Sequence, residues 1–292
     1  LSRRQTATAH TAELFAFSIN YFQRELIEIQ NIPQTENEAS DSCSTITFTT
    51  GSAYSGSWKQ SKRWGFGEQV WPDNASYTGE WENNYANGNG IFIHRDGDTY
   101  IGQWKMNCAD GLGTYFKQLG ATFYGQWKHD FQHGYGVEIC PSSRFEGQYF
   151  RGKKEGDGVC FFANESEYRG MWNNSQPCGY GAFFAKDGRS YRGEWKNSQM
   201  HGIGTYTWPS GRKYLGEYVQ GKKHGLGIMI WEKGAKYEGY WENGKQYYYV
   251  PTVKLIPLYQ RRASAVSLLK TAMFDWEFGQ KEKWSDIWNG KW

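Results

Sequence analysis

Apolar and polar residues alternate along most of the chain, and large rings and glycines interrupt the alternation at fixed intervals. An aromatic, a glycine and a second aromatic stand at i, i+2 and i+4 in Tyr77-Thr-Gly79-Glu-Trp81, and the same arrangement returns in Tyr100-Ile-Gly102-Gln-Trp104. Aromatic-x-Gly begins at Tyr54, Tyr77, Tyr100, Phe123, Phe145, Tyr168, Tyr191, Tyr214 and Tyr237, with a step of 23 residues that shortens once to 22, between Phe123 and Phe145. Eleven residues after each of the first eight aromatics comes Gly-x-Gly, from Gly65/Gly67 to Gly225/Gly227. Period-2 alternation predicts strands in which residues i, i+2 and i+4 share a face. A fixed period of this length predicts a repeat array whose units bury their apolar faces by stacking on neighbours.

Each unit reads as a β-hairpin. Three residues before most of the aromatics stands a turn-former, such as Gly51, Asn74, Gly97, Gly120, Gly188, Gly211 or Gly234, and seven residues after most of them stands Asn84, Asn107, Asp130, Gly152, Gly221 or Gly244. Rings of one strand are expected to lie over the glycines of its neighbours, because only glycine lets a ring lie flat on the backbone. Gly111, Gly113 and Tyr115, spaced by two, are expected to share that face. The 22-residue step removes one residue between Gly136 and Phe145, where Pro141 also removes a backbone donor. A one-residue change inverts side-chain facing unless a turn absorbs it, so the segment Cys140 to Arg144 is expected to form a shortened turn.

The flanks follow other periods. Phe15, Ile19, Phe22, Leu26 and Ile29 are spaced by four and three, which predicts an amphipathic helix over 11–30 with Thr11 as N-cap. An acidic linker follows. After the array, residues 247–259 read as an extended, proline-bounded stretch, 263–278 as helical, and Trp284, Ile287 and Trp288 place apolar bulk on one side of a last turn or two. The expected organisation is 1–44, helix and linker; 45–250, the array; and 251–292, a tryptophan-rich, partly helical tail. The fold class is therefore all-β: an elongated, single-layer antiparallel sheet of stacked β-hairpins with helical flanks.

Composition fits this reading, since 36 Gly, 21 Tyr and 15 Trp in 292 residues suit many short strands joined by turns. The 33 basic and 30 acidic residues are too balanced to attract nucleic acid or an anionic membrane through bulk field. Cys43, Cys108, Cys140, Cys160 and Cys178 form no Cys-x-x-Cys pair, so neither a zinc site nor a disulfide framework is indicated, and a reducing compartment is expected. No apolar run approaches the length of a spanning helix. The opening LSRRQTATAH, with two Arg and no acid, is compatible with the remnant of a transit peptide, which makes an organellar, mitochondrial location the alternative to a cytoplasmic one.

Candidate chemistry is sparse. Gly-x-Gly continues nowhere to a dinucleotide or phosphate-loop motif, and its recurrence in every repeat argues for structural glycine. His133, His201 and His224 precede Gly-x-Gly, but equivalent residues of successive hairpins lie two strand spacings apart, about 9.6 Å, too far for one ion to hold both. No catalytic, cofactor or metal site and no small-molecule substrate is expected.

The unit Tyr-x-Gly-x-Trp followed by His-Gly-x-Gly, clearest in YRGEWKNSQMHGIGTYTWPSGRKYLGEY, resembles MORN (membrane occupation and recognition nexus) repeats, with nine consecutive copies over about 45–247. His precedes Gly-x-Gly only at His133, His201 and His224, and Tyr149 and Tyr218 stand where other copies have Trp. The resemblance implies a non-enzymatic scaffold or adaptor subunit of a larger, cytoskeletal or ciliary assembly. It would bind protein partners through its flanks and the aromatic face, with Tyr77, Trp81, Tyr100, Trp104, Trp127, Trp172, Tyr191 and Trp195 as face residues and Trp276, Trp284 and Trp288 as tail anchors. The family name also implies the alternative, a peripheral phosphoinositide-binding module with weak anionic membrane contact. That reading needs a basic stripe, and Lys153, Lys154, Lys222 and Lys223 occupy only two equivalent turns. An array of about 18 strands at 4.8 Å each predicts a length of roughly 85 Å. Small-angle scattering checks this, and a compact envelope is incompatible with it.

Overall fold

A computed structural model describes residues 21–32, 40–118 and 120–247. They form nineteen strands, from β1 (Ser40–Thr47) to β19 (Lys245–Gln246), and one short helix, α1 (Leu26–Gln30). The first compact unit runs to Ala163 and takes in Asn173–Ser175; the second comprises Asn164–Trp172 and the residues from Gln176 onward.

In the first unit β4 (Ser76–Glu82), β5 (Tyr85–Ile93), β6 (Thr99–Lys105) and β7 (Cys108–Phe116) show the repeating geometry. Glu82 pairs with Tyr85 across the two-residue turn Asn83-Asn84, whose φ values of 50° and 73° mark a primed turn that matches the twist of the strands. The turn side chains also tie hairpins together. Asn84 Oδ1 accepts the Arg63 amide at 2.7 Å, Asn107 the Ala86 amide at 2.7 Å and Asp130 the Ala109 amide at 2.7 Å. The turn amides donate back to the same three residues. At the other margin a five-residue connection closes on itself, with the His94 amide donating to the Asp98 carbonyl and the Gly97 amide to the His94 carbonyl.

Rings lie on glycine as expected. A Cβ on Gly90 would stand 2.4 Å from the Tyr77 hydroxyl, and one on Gly79 would meet both that hydroxyl and the Gly90 Cα. The Tyr77 hydroxyl donates to the Glu80 carbonyl at 2.9 Å, so the ring runs along its own strand across the paired glycines. The same bond recurs from Tyr54, Tyr100, Tyr168, Tyr191, Tyr214 and Tyr237.

The first glycine of each pair departs from expectation. Gly102 pairs with Gly113 but Trp104 pairs with Ala109, so Asp110, Gly111 and Leu112 all face Gln103. Gly111, at φ +111°, sits in this bulge, and a Cβ there would meet the Gln103 side chain. Gly113 and Tyr115 therefore share the ring face without Gly111. The bulge also gives a role to the polar residue between glycine and tryptophan. Gln103 Oε1 accepts the freed Leu112 amide at 2.8 Å, and Glu80, Gln126, Glu194 and Glu217 do the same for Asn89, Tyr135, Ile203 and Leu226.

The short repeat is absorbed by its turn. Between β9 (Phe131–Cys140) and β10 (Ser143–Phe150), Cys140 pairs with Ser143 across Pro141-Ser142, a two-residue connection in place of five. Gly147 still pairs with Gly136, and Phe145 still overlies Gly158 as Phe123 overlies Gly136. In the second unit, β14 (Ser190–Lys196), β15 (Gln199–Thr207), β16 (Lys213–Val219), β17 (Lys222–Ile230) and β18 (Lys236–Glu242) repeat the pattern.

The amino-terminal flank is helical but not continuous: a turn at Arg24-Glu25 separates residues 21–23 from α1. Glu25 stands at the N-cap of α1, where its carbonyl accepts the Ile29 amide at 2.9 Å while its buried carboxylate accepts the Ser52 hydroxyl at 2.8 Å. Thr11 and the expected carboxyl-terminal helix lie outside the described residues.

Gly90→Ala, which places a methyl inside the Tyr77 ring, is expected to cost about 3 kcal/mol. Gly211→Ala, at φ +86° with nothing within 4 Å, is expected to cost about 1 kcal/mol from backbone strain alone. Urea midpoints of the two variants measure the difference.

Candidate interaction surfaces

The ring face is a ladder of edge-to-face contacts. Tyr77 meets Trp81 at 5.0 Å and Trp104 at 5.2 Å, and Tyr100 meets Trp104 and Trp127, each at 5.2 Å. In the second unit Tyr168 meets Trp172 at 5.3 Å and Trp195 at 5.1 Å, and Tyr191 meets Trp195 at 5.2 Å. Tryptophan Nε1 reaches a glycine carbonyl of the preceding repeat, as from Trp81 to Gly67 at 3.1 Å and from Trp195 to Gly181 at 3.1 Å. Tyr77, Trp81, Tyr100, Trp104, Trp127, Trp172 and Tyr191 are consequently buried and Trp195 is half-buried. These rings are occupied with the sheet's own packing. Trp276, Trp284 and Trp288 fall outside the described residues.

Residues 21–32 dock on the ring face of the first unit. Phe22, with no exposed surface, touches Trp71, Tyr77, Trp81, Phe92 and Trp104 at ring separations of 5.3–6.0 Å. Tyr21 donates to Asp73 at 2.5 Å, and burial followed by that bond pushes its hydroxyl up to about 12. Glu28 accepts the Thr49 amide and hydroxyl. Beneath the segment lies Arg63, buried, stacked on Trp81 at 4.2 Å and bonded to Gln69 and the Asn84 carbonyl. Burial pulls Arg63 down to about 10, and the Glu25 carboxylate opposes that pull. Arg63 escapes a reading by repeat pattern because its position carries different residues in other repeats, and Glu25 because it lies in the flank, outside the array.

Arg63 has counterparts. Lys154 and Lys223 also stand two residues before the first glycine of a pair. Lys154 lies over Phe145 at 4.5 Å and pairs with Glu138 at 2.6 Å. Lys223 lies over Trp208, Tyr214 and Trp241 at 4.7–5.1 Å. Strand alternation splits the lysine pairs: Lys153 and Lys222 are exposed, whereas Lys154 and Lys223 are half-buried among rings. Each basic turn thus offers one lysine to solvent, not two.

The opposite face of the first unit is apolar over two adjacent cross-strand rows. One row runs Ile93, Thr99, Phe116, Thr122, Ile139, and the other Ile91, Ile101, Thr114, Tyr124, Val137. Ile91, Ile93, Ile101, Phe116, Tyr124 and Ile139 are all exposed, and no charged residue interrupts either row between these ends. Alternation forces this, since residues flanking the ring-face positions point the other way.

Among the described residues no three His, Cys, Asp or Glu side chains gather where one metal ion could be held. The Cys108 thiol is pushed up to about 12, by burial first and the Asp130 carboxylate second, so it is a poor nucleophile at neutral pH. No helix among the described residues is long and apolar enough to cross a membrane.

No curated protein sequence gives a significant match to the chain. Among solved structures, the TCP10 domain of Danio rerio CPAP in complex with a peptide of Danio rerio STIL aligns at 9% identity over 71% of this chain and 99% of that one, with a TM-score of 0.40. The SAS-4 (dCPAP) TCP domain of Drosophila melanogaster, in complex with a proline-rich motif of Ana2, aligns at 12% identity over 64% and 99%, with a TM-score of 0.34. Superpositions this loose carry nothing to this chain. The family profile is decisive instead: the MORN repeat matches residues 54–76, 77–99, 100–117, 123–143, 145–167, 168–188, 191–211 and 214–236. With these segments spanning more than half of its length and the ring-on-glycine hairpin in each, the chain belongs to the MORN-repeat family.

Proposed function

We propose that this protein is a non-enzymatic scaffold subunit that joins protein partners in a larger, cytoskeletal assembly. The observation that carries the reading is the pair of uncharged, largely apolar rows from Ile91 and Ile93 to Val137 and Ile139 on the face of the first unit opposite the rings. Six large apolar side chains stand exposed there in two neighbouring rows, and contiguous patches of this kind mark protein interfaces. Of the rings proposed from sequence as contacts, Tyr77, Trp81, Tyr100, Trp104 and Trp127 pack on the other side of the same unit. The tail tryptophans Trp284 and Trp288 are proposed as anchors on a second subunit, since tryptophan is enriched where interfaces concentrate their binding energy. Both surfaces suit a subunit held by several neighbours at once.

The triple variant Ile91→Lys, Ile101→Lys, Tyr124→Lys keeps the ring face intact and breaks both apolar rows. It is expected to lose at least tenfold in recovery of the native complex by affinity purification of the full chain, while Lys186→Ala on the second unit changes nothing. Equal recovery of the triple variant, with its strands still protected from hydrogen exchange, would sink the proposal. Pelleting with anionic vesicles, at equal levels for wild type and triple variant, separates protein docking from membrane docking.

A further inference from the structure

The first unit displays how a ring face receives a segment of chain, and the second unit repeats the receiving positions 160 residues later with nothing described on them. Arg63 corresponds to Lys223, and the rings that flank Arg63, Tyr54 and Trp81, correspond to Tyr214 and Trp241. The cation–ring geometry is also the same: Arg63 lies 4.2 Å from the Trp81 centroid and Lys223 lies 4.7 Å from that of Trp241. Ser52, which holds the Glu25 carboxylate, corresponds to Arg212.

The two sites differ in cover. Trp71, closed over by Phe22, is 1% exposed, whereas its counterpart Trp231 is 37% exposed. Arg63 has Glu25 acting on it, whereas the groups facing Lys223 are Arg212 and three rings, with no ion pair to a carboxylate for either cation among the described residues. Arg212 stacks on Trp208 at 4.1 Å and its Nε is buried without a hydrogen-bond partner. Two cations on aromatic walls, without a carboxylate beside them among the described residues, form a positive site that a carboxylate would complement.

The sequence beyond Tyr247 supplies the matching piece. In the docked segment Phe22 fills the ring pocket and Glu25, three residues later, faces the cation. Within residues 248–292, one aromatic is followed three residues later by an acid: Phe274 and Glu277, with Asp275 between them. Direction agrees as well. The docked segment runs from later repeats, where Phe22 meets Trp104, toward earlier ones, where Glu28 meets Thr49. A segment arriving on the second unit from Tyr247 enters from the late-repeat end and meets the sites in the same order, Phe274 first and Glu277 second.

We infer that the segment Phe274–Glu277 docks on the ring face of the second unit of its own chain, with Phe274 covering Trp231 and Glu277 paired with Lys223 and Arg212. The tail is thereby fastened to the end of the array it leaves. The inference is independent of the scaffold reading, because it concerns a contact within one chain.

Zero-length carbodiimide cross-linking of the full chain, which joins a carboxylate to an amine it already touches, tests the contact. The expected product is a Lys223–Glu277 linkage in the monomer fraction, identified by mass spectrometry of its peptides. Limited chymotrypsin digestion, whose sites the variants leave unchanged, supplies the energetic readout. Glu277→Lys, which leaves every array residue unchanged, is expected to speed cleavage at Tyr259 and Trp284 about tenfold, as loss of roughly 1.4 kcal/mol of docking energy dictates. Adding Lys223→Glu to it is expected to restore most of the protection. A linkage found only between chains would assign the pocket to a second copy and overturn the inference. Unchanged cleavage in Glu277→Lys would overturn it too.

Discussion

A tyrosine ring lying flat on two paired glycines is the contact on which the rest of the structure depends. The ring of Tyr77 occupies the space that a Cβ on Gly79 or Gly90 would need, and its hydroxyl is anchored to a carbonyl of its own strand. With the ring laid along the strand, its edge and face are presented to tryptophans of its own and the next repeat. One local geometry therefore generates a continuous ladder within each unit, and a sheet one layer thick gains a core without a second layer to pack on. Phe123 and Phe145 hold the same place without the hydroxyl bond, so ring shape matters more than the anchor.

What the sequence made legible is what recurs. The 23-residue period, the alternation and the turn-formers were enough to place every hairpin, and the missing residue before Phe145 was correctly traced to its turn, since facing could be kept in no other way. Three features were not legible. The first glycine of each pair was assigned to the ring face by counting in twos, and a bulge breaks that count, as Gly111 shows. The Glu or Gln between glycine and tryptophan looks like surface polarity until the bulge leaves an amide for it to bond. The turn side chains of Asn84, Asn107 and Asp130 read as φ-tolerant residues, while their bonds to the preceding hairpin are tertiary and leave no local trace. The docked amino-terminal segment shows the same limit from the other side: its apolar stripe is visible, but the burial of the Glu25 carboxylate against Ser52 is a tertiary bond to a distant partner.

The burial of the ladder relocates function. Rings that look like an exposed recognition face in the sequence are spent on stability, and what they leave for recognition lies at their margins. One margin is the apolar opposite side of the first unit, held flat by the rings behind it. The other is the set of cations at Arg63, Lys154 and Lys223, each stacked on the ladder and each in a different setting: Arg63 bonded to Gln69 and the Asn84 carbonyl in the field of the docked Glu25, Lys154 paired with Glu138, and Lys223 with no carboxylate partner among the described residues. Repetition builds identical frames, and the few residues that break the repeat give each frame its own specificity.

The two margins of the hairpins differ in a way that matters for how such arrays diversify. The two-residue turns are bonded into the preceding hairpin, so lengthening one would detach it from its neighbour. The five-residue connections close through their own backbone bonds, and the replacement of one by Pro141-Ser142 left the flanking register intact. Insertions and grafted peptides should therefore be accepted along one edge only. Within either unit, that edge is a ruled row of display points spaced by about 9.6 Å, two strand widths, along which binding sequences can be exchanged one at a time.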